Sequence, residues 1–279
     1  MFTPFSLNIR GELRCFERPQ VMGILNVTPD SFYAPSRADG DDLRIRIERM
    51  VAEGADIIDI GGCSTRPGSA PPGADEEIAR LYPALKAAAD VAPQIPVSVD
   101  TFRASVARIA VTELGASIIN DISGGGLDPD MADTIAALGT PYVMMHTKGT
   151  PQTMQSLAQY TDVTAEVILS LSLKLRRFRL LGVADIIVDP GFGFAKTTVQ
   201  NYELMKNLQE IAATINAPIL VGISRKSMIT DALKITSDEA LAGTIALNMA
   251  ALMKGASIIR VHDVREAAHT VKIFMNTNP

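Results

Sequence analysis

The chain has 279 residues, of which 47% are hydrophobic and 20% are charged, and its formal net charge is −5. This composition is typical of a globular protein with a large core, and it excludes a disordered chain. The acidic balance argues against a nucleic-acid partner, because nucleic-acid binders normally carry a basic surface.

The cysteines and the apolar stretches indicate the compartment. Cys15 and Cys63 lie far apart without CxxC or zinc-finger spacing, so neither a disulfide framework nor a structural zinc site is expected. The N-terminus lacks the basic segment and the apolar run of a secretory signal. The most apolar later stretch, residues 244–261, is interrupted by polar residues and does not qualify as a membrane span. We therefore expect a cytoplasmic protein that makes no membrane contact.

The predicted elements begin with a short β-hairpin that turns near Gly11. Eight short β-branched runs follow in chain order, each ending in a polar or glycine-rich tip: QVMGILNVT, ADIIDIGG, PVSVDT, SIINDISG, PYVMMHT, DIIVDPGF, PILVGIS and SIIRVHD. Between them lie segments with helical spacing, such as residues 103–115, where Gly115 supplies the stop. After the last run, Asp263 and Glu266 have the spacing of a capping box that begins a final helix.

This alternation of strands and helices predicts an α/β protein with a (β/α)8 TIM barrel. Such strands pair in parallel through right-handed crossovers, and eight units close the barrel. An open doubly wound sheet is the alternative, but GILNVTPDSF stands where that fold carries GxGxxG after its first strand. No low-complexity linker divides the chain, so we expect one domain over residues 1–279. The N-terminal hairpin would cover the bottom of the barrel.

The polar tips predict a site at the mouth of the barrel, where the carboxyl ends of the strands meet. Two carboxylates, one amide and one ammonium suit a flat heterocycle with mixed donors and acceptors, such as a pterin or guanine-like ring; these residues are Asp100, Asn120, Asp189 and Lys226. Among their neighbours, we expect Asp59 to hydrogen-bond loop amides and His146 to have a packed, supporting role. Asp121 either caps the following turn or faces the site.

A second group of residues suits phosphate oxygens. Arg66, Arg260 and His262 offer positive charge, with the forked donors of arginine among them. Asn26, at the first tip, is a candidate magnesium ligand. GISRKS lacks the GxxxxGK[ST] spacing of a P-loop, and three scattered histidines do not provide the paired ligands of a metal hydrolase.

Eight ordered motifs, from about Val21 to Phe274, resemble those of a known family. They are GILNVTPDSF, DIGGCSTRPG, VSVDTF, IINDISGG, MHTKGTPQTMQ, DPGFGFAKT, GISRKS and RVHDV. The chain resembles the dihydropteroate synthases of folate biosynthesis. The resemblance implies a barrel that joins 7,8-dihydropterin-6-ylmethyl diphosphate to p-aminobenzoate, forming 7,8-dihydropteroate and releasing pyrophosphate. It also implies magnesium (Mg²⁺) as cofactor and a homodimer.

The resemblance also implies roles for individual residues. The pterin would be bound by Asp100, Asn120, Asp189 and Lys226. The diphosphate would be held by Asn26, Arg66, Arg260 and His262, with Asn26 on the metal. The aminobenzoate pocket, where sulfonamides compete in the family, would be formed by Phe32, Thr65, Pro67, Lys226 and Ser227. The catalytic group would be Asp100, Lys226, Arg260 and His262.

Two segments depart from the family's pattern. Residues 33–40 stand where the family often continues with Ser-Asp-Gly-Gly, so an acidic residue is missing or displaced to Asp39. Cys63 replaces the glutamate that is common before STRPG. Two rival functions are therefore kept: a pterin-dependent methyltransferase domain without a diphosphate clamp, and a catalytically silent pterin-binding paralogue.

Overall fold

The computed structural model describes residues 2–28, 40–63 and 71–277. Its strands are β1 Phe5–Ile9, β2 Glu12–Phe16, β3 Gln20–Asn26, β4 Ile57–Gly61, β5 Val97–Asp100, β6 Ile118–Asp121, β7 Tyr142–Met145, β8 Ile186–Asp189, β9 Leu220–Val221 and β10 Ile258–Val261. Its α-helices are α1 Gly40–Ala52, α2 Ala74–Val91, α3 Ala104–Thr112, α4 Met131–Leu138, α5 Val163–Leu180, α6 Thr198–Lys206, α7 Leu208–Ile215, α8 Ser227–Leu233, α9 Leu241–Met253 and α10 Val264–Thr277.

The predicted barrel is confirmed. The strands from β3 to β10 form one parallel sheet of eight, in the order β8-β7-β6-β5-β4-β3-β10-β9. A parallel bridge between Val188 and Ile219 joins the two ends of this order. The amide of Val188 also donates a 2.8 Å hydrogen bond to the carbonyl oxygen of Pro218. The sheet thereby closes on itself, which is the geometry that brings all eight carboxyl ends of the strands to one mouth.

The barrel strands are buried on both faces, as their β-branched runs predict. Every residue of β4, β6, β7 and β8 is buried. One face of each strand packs against helices and the other faces the barrel interior. Parallel strands in this position have nearly continuous apolar sequences. A carboxylate or amide within such a strand is therefore removed from water at a cost in solvation, and it needs polar partners inside the protein.

The N-terminal hairpin covers the bottom of the barrel. Arg10 and Gly11 make its turn with left-handed backbones, φ 55° and 86°. Leu7 and Ile9 are 1% and 2% exposed. They pack with one inward residue from each of seven strands: Met22, Ile57, Ile118, Val143, Ile187, Leu220 and Ile258. The hairpin therefore covers the apolar end of the barrel that lies opposite the mouth, as expected.

The side chain of Asp263, which was predicted to cap the final helix, pairs with an arginine instead. Asp263 directly precedes α10, but both of its carboxylate oxygens accept from Arg225: Nε donates at 3.0 Å and Nη2 at 2.6 Å. The bidentate pair with a guanidinium competes with the capping of free amides, because it occupies the same two oxygens. The capping-box interpretation of Asp263 is therefore corrected to an ion pair that ties the β9–α8 segment to the end of β10.

Among the residues that the structure describes, no helix has both the length and the apolar character that crossing a bilayer would require.

Candidate active site

Most of the predicted site residues lie at the carboxyl ends of barrel strands and surround one mouth. They are Asn26 in β3, Asp100 in β5, Asn120 in β6, Asp189 in β8 and Arg260 in β10, with Lys226, Ser227 and His262 in the segments that follow β9 and β10. Four further predicted residues, Phe32, Thr65, Arg66 and Pro67, lie outside the described residues. The described part of the site therefore comes from six different strands or their following segments.

An ion-pair network centres on Arg260. Its Nε donates to Oδ2 of Asp59 at 2.7 Å, and its Nη2 donates to Oδ2 of Asp100 at 3.0 Å. Nδ2 of Asn120 donates to the same Asp59 oxygen at 3.1 Å. Two carboxylates thus hold the neighbouring nitrogens Nε and Nη2 of one guanidinium, and this fixes the plane of the group inside the barrel. Within the described residues, Nη1 of Arg260 makes no hydrogen bond.

The expectation that Asp59 binds loop amides is wrong. Its carboxylate accepts from the side chains of Arg260 and Asn120, and it is fully buried. The reason is its position along β4. The strand continues for two residues after Asp59 and ends at Gly61, so the carboxylate lies below the mouth, within the barrel and out of reach of the loop.

Burial dominates the electrostatics of the two other carboxylates. It raises the pKa of Asp100 to about 7; Arg260 opposes the rise and Asp59 adds to it. Burial also raises the pKa of Asp189, and Lys226 opposes this rise. Oδ1 of Asp189 accepts a 2.7 Å hydrogen bond from the amide of Gly191. Ionising either acid is therefore costly, and neighbouring cations, hydrogen-bond donors or a bound ligand offset part of that cost.

Lys226 reaches the mouth from the N-cap position directly before α8. Its Nζ donates to the carbonyl oxygen of Phe192 at 2.6 Å and lies 4.6 Å from the ring centroid of Phe194. Burial lowers the pKa of Lys226 to about 8; Asp189 opposes this effect and Arg260 adds to it. The ammonium is thus a partly desolvated donor between an aromatic face and a carboxylate, which suits recognition of a polar ring.

A buried lysine that the sequence alone does not single out organises the loop after β8. Lys196 is 3% exposed. Its Nζ donates to the carbonyl oxygens of Gly191 and Phe194 at 2.9 and 3.1 Å, and it lies 3.1 Å from Nδ1 of His146. The signal was present in DPGFGFAKT, where Lys196 is the one charged residue after the initial aspartate. It fixes the same loop whose Phe192 and Phe194 contact Lys226.

His146 has the supporting role that was expected. It is 2% exposed, and burial together with the charge of Lys196 lowers the pKa of its imidazole to about 2. The ring is therefore neutral and accepts from the lysine at Nδ1. Its backbone also restricts the loop: a Cβ on Gly191, where φ is +75°, would lie 1.9 Å from the carbonyl oxygen of His146.

Asp121 caps a turn and does not face the site. Its Oδ1 accepts from the amide and the hydroxyl of Ser123, both at 2.7 Å. Its Oδ2 accepts from the amide of Gly125 at 2.8 Å and from the hydroxyl of Tyr142 at 2.6 Å. Four donors satisfy this carboxylate without a ligand, so of the two alternatives for Asp121 the turn cap is correct.

The residues after β9 and β10 form the rim of the mouth. The amide of His262 donates to Oγ of Ser224 at 3.2 Å, and Nδ1 of its ring lies 3.0 Å from the same oxygen. Desolvation at this rim and the charge of Arg260 lower the pKa of His262 to about 4. The imidazole is therefore neutral near pH 7, and the expectation that His262 offers positive charge is wrong. Ser227 begins α8 and its side chain is exposed.

Asn26 presents an amide oxygen beside Gly61, and this is the type of ligand atom that magnesium prefers. A Cβ on Gly61 would lie 3.3 Å from Oδ1 of Asn26 and 3.9 Å from Oδ2 of Asp100. The glycine therefore places no side chain beside Oδ1 of Asn26, whereas Oδ2 of Asp100 already accepts from Arg260. Magnesium prefers oxygen ligands and is commonly held by one or two protein oxygens together with substrate phosphates. No cluster of three or more His, Cys, Asp or Glu arranged for a metal occurs in the described ranges.

Cys63 places a neutral side chain just after β4. Burial and the nearby carboxylate of Glu77 raise the pKa of its thiol to about 11. Glu77 is fully buried and forms an ion pair with Arg103. The glutamate of the family's pattern at position 63 would add a second carboxylate beside Glu77, so the cysteine lowers the negative charge at the start of the following loop.

Known proteins resemble this chain over almost its whole length. A family model described as "pterin binding enzyme" matches residues 22–262. A dihydropteroate synthase of Escherichia coli K12 is 41% identical over 267 residues, which cover 93% of this chain and 92% of the relative.

Solved structures resemble the chain to the same extent. The dihydropteroate synthase of Yersinia pestis in complex with a sulfonamide drug has a TM-score of 0.90 and 38% identity, and the match covers 98% of this chain and 99% of the other. The enzyme of Thermus thermophilus in complex with 4-aminobenzoate has a TM-score of 0.87 and 38% identity, with the same coverage. Because the family model and these relatives span the barrel and its mouth, the chain belongs to the pterin-binding enzymes and, within them, to the dihydropteroate synthase family.

Proposed function

We propose that the mouth of the barrel holds 7,8-dihydropterin-6-ylmethyl diphosphate and p-aminobenzoate and joins them, releasing pyrophosphate. The observation that carries this assignment is the buried network of Arg260 with Asp59 and Asp100, adjacent to Lys226 and Asp189. A network of this polarity at the end of an apolar barrel is costly without a ligand. The relatives named above are synthases, which favours this reaction over the methyltransferase rival.

The pterin ring would lie among acceptors and donors of matching type. Asp100 and Asp189 accept from ring N–H and amino groups, and Lys226 donates to a ring oxygen or nitrogen. Asn120 supplies an amide at the same depth, one residue before β6 ends. Each charge-assisted hydrogen bond of this kind contributes about 1.5 to 3 kcal/mol, so a few of them account for tight and oriented binding.

The reaction breaks the C–O bond of the pterin methylene group, and the diphosphate leaves with the bonding electron pair. Positive charge then develops on the pterin, next to the carboxylates of Asp100 and Asp189, which stabilise it electrostatically. The aminobenzoate nitrogen donates its lone pair to the methylene carbon and forms the new C–N bond. It then loses one proton to the solvent. Because an arylamine is already a nucleophile at neutral pH, no strong base is required.

The diphosphate would lie at the rim formed by Asn26, His262 and the free edge of Arg260. Nη1 of Arg260 keeps donors that are not used inside the barrel, and they suit a phosphate oxygen. Magnesium, held by Asn26 together with the diphosphate, would neutralise the charge of the leaving group. Arg66, outside the described residues, is proposed to complete this clamp.

The second substrate would enter between the loop after β8 and the start of α8. Phe194 offers an aromatic face beside Nζ of Lys226, and Ser227 offers a hydroxyl that can donate to a carboxylate. Phe32, Thr65 and Pro67, outside the described residues, are proposed to close the pocket. The sulfonamide bound by the Yersinia pestis relative supports competition by sulfonamides at this position.

The assembly and the compartment are part of the same proposal. The resemblance to the family supports a cytoplasmic homodimer in which each chain is one domain. Within the described residues, Cys15 and Cys63 form no disulfide bond, which is compatible with a reducing compartment. Sedimentation velocity of the purified protein distinguishes a dimer from a monomer directly.

Binding of 7,8-dihydropteroate to matched variants tests the site assignment. Asp189 is the last residue of β8 and lies at the mouth, whereas Asp185 directly precedes β8 at the other end of the barrel. The carboxylate of Asp185 accepts a 2.9 Å hydrogen bond from the amide of Asn8 in the hairpin. Asp189→Asn is expected to weaken binding by about 10- to 100-fold, because one charged acceptor is lost. Asp185→Asn is expected to leave it unchanged. Equal affinities of Asp189→Asn and the parent protein would contradict the assignment.

A further inference from the structure

Asp59 has a fully buried carboxylate that is not explained by ligand contact. Its side chain is 0% exposed, and it lies two residues before β4 ends at Gly61. Oδ2 accepts both of its hydrogen bonds, from Arg260 and from Asn120. Oδ1 is buried and has no hydrogen-bond partner within the described residues. A half-satisfied carboxylate is unfavourable for folding, and such exceptions in native proteins concentrate at functional sites.

The hydrogen bond to Asp59 determines how the amide of Asn120 faces. An ionised carboxylate only accepts hydrogen bonds, so the NH2 group of Asn120 points toward Asp59. The carbonyl oxygen Oδ1 of the same amide then points away from Asp59. Asn120 is 4% exposed, and its Oδ1 accepts no hydrogen bond from the described part of the chain. The amide therefore offers an acceptor to a ligand at the mouth, and a ring N–H is the matching group.

The same carboxylate oxygen also fixes Arg260. Asp59 accepts from Nε and Asp100 accepts from Nη2, which are neighbouring positions on the guanidinium. With both positions held, the plane cannot turn without breaking a charge-assisted hydrogen bond. The remaining donors of Arg260 are consequently held in one orientation.

We propose that Asp59 is a positioning residue for pterin recognition. It does not touch the ring; it sets Asn120 as an acceptor for a ring N–H and holds the plane of Arg260 beside the ring. This inference rests on the proposed assignment of Asn120 and Arg260 to the pterin diphosphate. It explains why a carboxylate is kept at a depth where an apolar residue would pack without a solvation cost.

Asp59 also acts on Asp100 through its charge, which gives the proposal a signature in pH. The charged groups that affect Asp100 are Asp59, Glu77, Asp121, Arg260 and Lys226, which precedes α8. Burial is the largest cause that raises the pKa of Asp100 to about 7, and the negative charge of Asp59 raises it further. Removing that charge therefore lowers the pKa of Asp100, and the carboxylate stays ionised to lower pH.

The test uses the nearly isosteric variant Asp59→Asn in the full chain, with Ser98→Ala as the matched control. Ser98 is a fully buried polar residue of the neighbouring strand β5, and its hydroxyl has no hydrogen-bond partner in the described ranges. For Asp59→Asn, the KM for the pterin diphosphate is expected to rise at least about tenfold, while the KM for p-aminobenzoate changes less than about threefold. Affinity for 7,8-dihydropteroate is lost as the pH falls, and this acid limb of the binding profile is expected to move to lower pH. Ser98→Ala changes none of these values.

Three outcomes would overturn the proposal. They are an unchanged KM for the pterin diphosphate in Asp59→Asn, equal rises of both KM values, and an acid limb that stays in place. If Asp59→Asn does not fold, as judged by circular dichroism, the smaller Asp59→Ser is measured in the same way and the same outcomes apply. A parent protein that does not bind dihydropteroate would instead contradict the proposed function, so the two failures are distinguishable.

A double-mutant cycle with Asn120→Ala checks the route of the effect. If Asp59 acts through Asn120, the loss of dihydropteroate affinity in the double variant is smaller than the sum of the two single losses, in free energy. Strict additivity would overturn the part of the proposal that concerns the Asn120 amide.

Discussion

The affinity of the barrel mouth for its pterin ligand should depend on pH through Asp100 and Lys226. Burial raises the pKa of Asp100 to about 7 and lowers the pKa of Lys226 to about 8. A ring that is bound by a carboxylate acceptor and an ammonium donor requires both groups in their charged forms. Affinity is therefore lost as the pH falls through the raised pKa of the acid and as it rises through the lowered pKa of the lysine.

The size of the effect follows from these two values. The fraction of protein with both groups charged is about 0.6 at a pH of about 7.5, and it falls to about 0.1 near pH 6 and near pH 9. Affinity for 7,8-dihydropteroate should thus fall roughly sixfold on either side of the maximum. With ordinary pKa values the same protein would bind uniformly over this range, so the bell shape reports the burial of the site.

Isothermal titration calorimetry across this pH range, at constant ionic strength, measures the profile. Lys226→Arg is the control, because arginine keeps its charge at every pH in the range. In this variant the alkaline limb should disappear while the acid limb remains, which separates the lysine from titration of the ligand itself. A flat profile in the parent protein, or an alkaline limb that persists in Lys226→Arg, would refute the reasoning.

Three further predictions concern the fold and the metal. Leu7 is 1% exposed at the bottom of the barrel, and Leu7→Ala should lower the free energy of unfolding, measured in urea, by about 3 to 5 kcal/mol. Leu13 is 72% exposed in the same hairpin, and Leu13→Ala should change it by less than about 0.5 kcal/mol. Equal effects would contradict the packing role of Leu7. Gly191→Ala should lower the Tm far more than Gly139→Ala, because a Cβ on Gly191 would lie 1.9 Å from a backbone oxygen and one on Gly139 meets nothing within 4 Å; similar Tm values would show that the loop yields. Asn26→Ala should raise the magnesium concentration for half-maximal turnover by about tenfold or more; an unchanged requirement would place the ion elsewhere.

Local patterns in the sequence predict most of this fold. Runs such as ADIIDIGG combine β-branched residues with a glycine-rich end, and such runs form strands that are buried on both faces. Left-handed glycines, such as Gly115 at φ +75° after α3, mark the ends of helices. Eight repeats of one local pattern allow little choice of topology, which explains why the barrel and its hairpin are predictable without any contact information.

The contacts inside the mouth are less predictable, because they join residues that are distant in sequence. Asp59 and Arg260 are 201 positions apart, and their pairing depends on the stagger of the strands around the barrel. The strand pattern places Asp59 near a tip, but only the register shows that it lies below the mouth. Likewise, the carboxylate of Asp263 could cap a helix or pair with Arg225, and the local pattern does not distinguish the two because Arg225 is 38 positions away.

Turnover with both substrates tests the central claim most directly. The purified protein is incubated with 7,8-dihydropterin-6-ylmethyl diphosphate and p-aminobenzoate, with and without magnesium, and 7,8-dihydropteroate and pyrophosphate are quantified together. The account predicts that the two products form in equal amounts and only with magnesium present. Binding of the pterin substrate without formation of dihydropteroate would contradict it and would indicate a pterin-binding protein that lacks synthase chemistry.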